Sequence, residues 1–195
     1  CGSPARARNL LLDWADNQAQ VQWVARLDAD DELYEENSLE ALWNSVKDTN
    51  KKAVLGSNML RLGDKILQQK NVADPNELTD HKSLAKFINK FTDGTRTCEL
   101  PSCNLMLKTH TGFRYPNIKS AEDHWLVSRL LTLYSSDVEI CPLPIYSIYS
   151  LDGQDTKTNK IDMTWLSQRK RLSYVTDKWS QLLSANKRLL GVGME

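Results

Sequence analysis

Three carboxylates stand close together at the end of an apolar run. The stretch from Gln22 to Leu33 reads Gln-Trp-Val-Ala-Arg-Leu-Asp-Ala-Asp-Asp-Glu-Leu, so Asp28, Asp30 and Asp31 follow residues typical of a strand. Clustered like charges repel one another and lose hydration unless a positive group lies among them. Hard oxygen ligands suit Mg²⁺ or Mn²⁺ and leave coordination positions for a phosphate-bearing substrate. The pattern indicates a bound cation, although acids that cap the following helix would explain the same charges.

A calcium loop of the EF-hand type is the first alternative for these carboxylates. Counted from Asp28, the sixth position, where such a loop needs glycine for its sharp turn, is Leu33. The twelfth position, normally a bidentate glutamate, is Leu39. The spacing therefore argues against an EF-hand.

A second acidic pair, Glu122-Asp123, follows Ser120 at the start of a helical pattern. A carboxylate in this position can act as a general base that takes a proton from an attacking hydroxyl. The spacing Ser120-x-x-Asp123 is also close to a capping box, in which the acid only satisfies the helix terminus. From the residues alone both interpretations stay open.

Periodicity and turn residues predict the elements that position these groups. We expect a helix that begins at Ser3-Pro4, a second capped by Ser38, a third around 84–91, a fourth from Ser120 and a long one from Met163. Strands are predicted at 21–27, 53–61, 66–67, 104–107, 138–141 and 145–149, with loops at 62–65, 112–116 and 152–160. Alternating helices and strands predict the α/β class.

Composition sets the broad class of protein. A chain of 195 residues, 41% of them hydrophobic, can bury one substantial core. The 25 basic and 25 acidic residues cancel, which gives no general argument for binding nucleic acid. No C-x-x-C pair occurs among the four cysteines, so structural zinc is not expected. No apolar run approaches the roughly 18 residues of a membrane span, and we expect a soluble, cytoplasmic protein.

Taken together, three elements resemble the GT-A glycosyltransferases of family 2. They are Arg8-Asn9 at the end of Ser-Pro-Ala-Arg-Ala-Arg-Asn, the strand that ends Leu-Asp-Ala-Asp-Asp-Glu, and Ser-Ala-Glu-Asp opening a helix. The resemblance implies a GT-A-like mixed sheet flanked by helices. It implies that Asp28 and Asp30 hold Mn²⁺ or Mg²⁺ and that Asp123 is the general base. It also implies that Arg8, Asp28, Asp30 and Asp31 bind the nucleotide-sugar donor. It also implies an acceptor side that contains Glu122 and Asn104.

The resemblance covers about residues 3 to 155, and it begins in the middle of the family's domain. Family members normally have about two β-α units, which bind the nucleotide, before the Ala-Arg-Asn helix. We therefore expect a partial GT-A-like domain at 1–155, a basic helical extension at 156–195, and a missing N-terminal segment or partner. The extension carries Arg169-Lys170-Arg171 and Lys187-Arg188. Contact with an anionic membrane and a solvated outer face both explain that charge.

The function implied is an inverting transfer of a sugar from a nucleotide-diphosphate sugar to an acceptor hydroxyl. The acceptor would be a cell-surface glycan or a lipid-linked saccharide, as in polysaccharide biosynthesis, at the inner face of the membrane. Two alternatives remain open at this point. One is a non-catalytic binding domain of the same fold, and the other is a metal-dependent nucleotidyltransferase, although the sequence has no glycine-rich phosphate loop of the P-loop type.

Overall fold

The computed structural model describes residues 3–71, 104–150 and 163–191. Within these ranges the helices are α1 (Pro4–Asp16), α2 (Ser38–Asn44), α3 (Glu122–Leu133) and α4 (Met163–Gly191), with a 3₁₀ turn at Ser135–Asp137. The strands are β1 (Trp23–Ala25), β2 (Glu32–Leu33), β3 (Ala53–Leu55), β4 (Asn58–Leu62), β5 (Lys65–Asn71), β6 (Leu105–Lys108), β7 (Val138–Ile140) and β8 (Ser147–Ser150). The predicted mixed α/β class is confirmed.

The first sheet has the strand order β1-β6-β3-β7. Strand β6 runs antiparallel to both of its neighbours, whereas β3 and β7 are parallel. Successive side chains of a strand point to opposite faces, so Leu105 and Leu107 pack with α1 and α3 while Met106 packs with α2. The sheet is therefore the middle layer of three.

The second sheet has the order β2-β8-β4-β5. The chain passes from the first sheet to the second within the strand predicted at 53–61. That prediction of one continuous strand was wrong, because β3 and β4 belong to different sheets with Gly56-Ser57 between them. A Cβ atom on Gly56 would lie 3.0 Å from Cβ of Tyr146, so the bend needs a residue without a side chain. The hydroxyl of Ser57 donates to the carbonyl of Pro142 over 2.9 Å.

Helix α1 begins as its sequence predicts. The hydroxyl of Ser3 accepts a hydrogen bond from the backbone N–H of Arg6 at 3.3 Å, and Pro4 occupies the first helical position. One face of the helix is buried against the first sheet, and three large apolar residues on the other face are exposed. The buried residues are Ala5, Leu12 and Ala15, and the exposed ones are Leu10, Leu11 and Trp14.

Two local expectations differ from the structure. The strand predicted at 21–27 is only three residues long, is half-buried, and lies at one edge of the described sheet. Asn37, not Ser38, precedes the first turn of α2 and makes no side-chain capping bond. The hydroxyl of Ser38 instead accepts from the N–H of Glu35 and donates to the carbonyl of Ile145, which ties the helix to the chain entering β8.

The long C-terminal helix packs against α3. Leu172 is fully buried, and the rings of Trp125 and Trp179 meet edge to face with their centroids 6.4 Å apart. In the described ranges no helix combines the length and the apolar composition needed to cross a membrane. The helix predicted at 84–91 and the loop at 152–160 lie outside the described residues, and the proposed division at residue 155 stays a prediction.

Candidate functional site

One arginine joins the two acidic groups that the sequence singles out. Arg26 Nε and Nη2 bind the two carboxylate oxygens of Asp28 at 2.9 and 2.6 Å. Its third nitrogen, Nη1, lies 3.3 Å from Oδ2 of Asp123, which is 97 residues further along the chain. The Arg26 side chain is only 10% exposed. The tertiary fold therefore brings the metal-binding candidate and the base candidate to one guanidinium.

A second arginine forms a parallel link from α1. Arg8 Nη1 lies 2.5 Å from Oε1 of Glu122, and Nη2 lies 3.5 Å from Oδ1 of Asp28. The guanidinium also lies over the ring of Tyr115, 5.4 Å from its centroid, as a cation–π contact. Arg8 thus contacts two members of the acidic cluster. Two cations and three acids form one connected network at the carboxyl end of β1.

The backbone at the start of α3 explains how Asp123 faces this network. Ala121 precedes the helix with a positive φ of 63°, and no side chain caps the helix. Asp123 Oδ1 accepts from the N–H of the next residue, His124, at 2.8 Å. The capping-box explanation for Ser120 and Asp123 is therefore not supported. The left-handed residue turns the chain so that the second carboxylate oxygen meets Arg26.

The charge state of Asp123 follows from its neighbours. Burial acts to raise its pKa, but the His124 ring, the guanidinium groups of Arg26 and Arg8, and the N–H of His124 together hold the pKa well below its usual range. Burial lowers the pKa of His124 to about 4, against the attraction of Asp123, so its ring is neutral at pH 7. Asp123 is thus an ionised carboxylate, and its basicity is limited by the arginines that surround it.

The remaining carboxylates of the cluster sit on the turn that follows β1. The N–H of Asp31 donates to the carbonyl of Asp28 at 3.0 Å, and Asp31 Oδ1 accepts from the N–H of Ser150 at 3.2 Å. Asp30 is exposed between them. Burial, together with the negative charges of Asp28 and Asp30, raises the pKa of Asp31 to about 7. The turn therefore retains a negative potential in spite of Arg26.

This donor set suits a hard divalent cation that also binds substrate oxygens. Asp28 and Asp30 offer oxygen ligands, and the carboxylate of Asp28 has more acceptor positions than its bonds to arginine use. The described residues contain no group of three or more histidine, cysteine, aspartate or glutamate side chains arranged to hold a metal. An ion here would take most of its coordination from a substrate and from water, which is usual for Mg²⁺.

A groove beside the network has room for part of a ligand. It has a volume of about 270 Å³ and lies between α1 and the strands β1 and β6. Leu11, Leu12 and Val24 form its apolar wall, and Arg26 and Asp28 form its polar end. Apolar walls with a few convergent polar groups are typical of small-molecule sites.

Arg8, Asp28, Glu122 and Asp123 meet in this network, whereas the side chain of Asn104 has other partners. Asn104 is buried, donates from Nδ2 to Asn58 Oδ1 at 3.1 Å, and accepts from the hydroxyl of Ser147 at 2.7 Å. It joins strands of the second sheet to the start of β6. Sequence reasoning missed Arg26, although a charge within the apolar run Val-Ala-Arg-Leu was a usable signal. Tyr146, which donates to the carbonyl of Arg26 at 3.1 Å, carried no such signal.

Comparison with known proteins places the chain in a family. Residues 3–111, more than half of the chain, match the sequence model described as Glycosyl transferase family 2. The chain belongs to glycosyl transferase family 2. Neither the curated proteins nor the solved structures gave a match.

Membership of glycosyl transferase family 2 confirms the resemblance to that family, with two of the three sequence elements inside the matched range, and supports the GT-A-like description of the fold. It assigns a glycosyltransferase-type function to the chain. The matched range contains α1, β1 and the turn with Asp28, Asp30 and Asp31, but it ends before α3. The roles of Glu122 and Asp123 therefore rest on their contacts alone.

Proposed function

We propose that the chain transfers a sugar from a nucleotide-diphosphate donor to an acceptor hydroxyl with inversion at the anomeric carbon. The observation that carries this proposal is the shared guanidinium of Arg26, which holds Asp28 and Asp123 within one hydrogen-bonded group. Inverting transfer needs a cationic environment for the leaving diphosphate and a carboxylate for the attacking hydroxyl. These two requirements meet at Arg26.

Each residue has a distinct task in this scheme. Asp28 and Asp30 would hold Mn²⁺ or Mg²⁺, which supplies positive charge to the diphosphate as a Lewis acid. The guanidinium groups of Arg8 and Arg26 can donate to phosphate oxygens as well as to carboxylates. We propose that the apolar groove beside Leu11 and Val24 takes part of the donor.

Asp123 accepts the proton in the chemical step. The acceptor oxygen forms a bond to the anomeric carbon while the bond from that carbon to the diphosphate oxygen breaks, and the diphosphate leaves with the electron pair. The hydroxyl proton moves to the carboxylate of Asp123. Because Arg26 lowers the basicity of Asp123, donation from Arg26 to a bound diphosphate would make Asp123 a stronger base. Donor binding would thus activate the base.

The acceptor is proposed to be a saccharide, either free or lipid-linked. Glu122 is held by Arg8 and lies beside Asp123 in the first turn of α3, so a sugar hydroxyl that reaches Asp123 passes close to it. The family match supports a sugar-transfer reaction, for which a saccharide is a suitable acceptor.

Two substitutions separate the roles. Asp30→Ala should abolish Mn²⁺-dependent binding of a nucleotide diphosphate, measured by calorimetry with uridine, guanosine and thymidine diphosphates. Asp123→Asn should keep that binding and stop transfer, measured as product formed from the matching sugar donor and a saccharide panel. Asp64→Ala, an exposed acid in the β4–β5 turn, is the control and should change neither.

The outcomes distinguish the proposed function from its alternatives. Unchanged turnover in Asp30→Ala or in Asp123→Asn would refute the assignment of that residue. If none of the nucleotide diphosphates binds at millimolar concentration, a non-catalytic binding domain of the same fold is favoured. Release of pyrophosphate from a nucleoside triphosphate, with no sugar transferred, would identify a nucleotidyltransferase.

A further inference from the structure

A second cleft lies at the opposite end of the first sheet from the carboxylates. It has a volume of about 550 Å³ and opens to solvent. Lys108 ends β6 and pairs with Trp23 at the start of β1, whereas Asp28 follows the end of β1. Lys52 precedes β3, and its carbonyl accepts from the N–H of Lys108 at 2.9 Å. The cleft is therefore separated from the Arg26 network by the length of the strands.

The lining of this cleft is strongly basic. Lys52, Lys108 and Arg129 contribute three positive charges and Asp137 one negative charge, which leaves a net charge of +2 when histidine is left out of the count. Asp137 is bound by Lys52 at 3.0 Å. Within the described part of the chain no carboxylate lies within 4.0 Å of the Lys108 amine or the Arg129 guanidinium. In a chain whose total charge is zero, this is a local concentration of unneutralised cations.

The rim of the cleft is held in an unusual backbone conformation. His110 has a φ of 59°, in the left-handed region that residues other than glycine rarely adopt, and Gly112 follows with a φ of 71°. Asp16 fixes the turn by accepting from the N–H of His110 at 2.7 Å and by pairing with Arg114. Non-glycine residues in this region persist only where surrounding contacts maintain them, and they cluster at active sites and ligand-binding sites. The His110 side chain lines the cleft.

The floor of the cleft is rigid and aromatic. Phe113 is buried, and its ring meets that of Tyr134 edge to face with the centroids 5.2 Å apart. The guanidinium of Arg129 lies 5.8 Å from the centroid of Tyr134, which restricts its position. A packed floor and a guanidinium already held beside it lower the entropic cost of binding an anion.

We propose that this cleft binds the phosphate group of a phosphate ester. A phosphate monoester carries a charge of about −1.5 to −2 at pH 7, which matches the net charge of the lining. Lys108 and Arg129 donate to the phosphate oxygens, and His110 lies at the rim of the cleft. The Tyr134 ring packs against the group that carries the phosphate. Two sources share this chemistry, namely a soluble phosphate ester and the headgroup of an anionic phospholipid.

The test uses the full chain in EDTA, so that metal-dependent binding at Asp28 and Asp30 does not contribute. Inorganic phosphate is titrated while the backbone amide signals of His110, Thr111 and Gly112 are followed by NMR. Sedimentation with vesicles of phosphatidylcholine, with and without phosphatidic acid, tests the lipid source. Loss of two cations about 4 Å from the anion should weaken binding about tenfold or more.

The double variant Lys108→Ala/Arg129→Ala is compared with Lys47→Ala/Lys65→Ala, which removes the same charge from exposed positions outside the cleft. Amide shifts that depend on Lys108 and Arg129 support the proposal, with a soluble ester as the source if vesicles do not bind. Sedimentation that requires phosphatidic acid and both cations supports it with a lipid headgroup as the source. Equal weakening in the two double variants, or no response of these amides to millimolar phosphate and no lipid dependence, would overturn it.

The proposal does not depend on the transferase chemistry. Asp30→Ala should leave phosphate binding in this cleft unchanged, because the carboxylate cluster lies at the other end of the sheet. Failure of the transferase assignment and failure of the phosphate site are therefore separate results.

Discussion

Replacing Arg26 by methionine tests the central ion-pair network most directly. The change removes the bonds to Asp28 and Asp123 and leaves two carboxylates without their main partner. Breaking a fully buried pair costs about 3–5 kcal/mol, because one charge stays buried and uncompensated. The side chains of Asp28 and Asp123 keep 29% and 20% exposure, and Arg8 remains 3.5 Å from Asp28, so we expect about 2–3 kcal/mol.

The pH dependence of this loss follows from the depressed pKa of Asp123. A carboxyl with a lowered pKa in the folded state stabilises the fold above its unfolded pKa of about 3.8, and that stability is lost as the pH falls further. The cost of Arg26→Met should therefore be largest above about pH 5 and shrink below about pH 4. Urea unfolding followed by tryptophan fluorescence at several pH values measures it.

Arg114 provides a matched control for this experiment. It also binds two acids, Asp13 at 2.8 Å and Asp16 at 2.5 Å, but its side chain is 30% exposed and it lies outside the site. Exposed pairs contribute at most about 1 kcal/mol. If Arg26→Met costs no more than Arg114→Met, or if Arg26→Met/Asp123→Asn recovers none of the loss, the network does not have the importance assigned to it.

Three further predictions concern the framework around the site. Gly56→Ala should destabilise the fold by about 1–3 kcal/mol, because the new Cβ meets Tyr146 at 3.0 Å; denaturant midpoints measure this, and an unchanged midpoint would contradict the close approach. Leu172→Ala should lower the free energy of unfolding by about 2–5 kcal/mol, whereas Leu182→Ala, at an exposed position, should lower it by less than about 0.5 kcal/mol. Equal effects would mean that α4 does not pack on α3. The folded state loses stability as the pH falls from about 6.5 to 4, because the lowered pKa of His124 makes it bind fewer protons than the unfolded state. His124→Gln should make this loss smaller. Parallel pH profiles of stability for the two proteins would exclude the linkage.

Sequence reasoning was most accurate where the cause of a structure is local. The serine cap and proline that begin α1, the Gly63 turn into β5 and the amphipathic pattern of α3 each depend on residues a few positions apart. It was wrong at 53–61, because the residues alone do not show that the chain bends at Gly56, against Tyr146, into a second sheet. Long-range packing decides that bend.

The same distinction between local and long-range causes applies to the functional site. The sequence by itself determined that Asp28, Asp30 and Asp31 follow a strand and that Asp123 opens a helix, since both features lie within short stretches of chain. Only the tertiary structure decided that one guanidinium joins Asp28 to Asp123 across 97 residues. An ion pair of this kind depends on where separate elements end in space, and short-range periodicity carries no information about that distance.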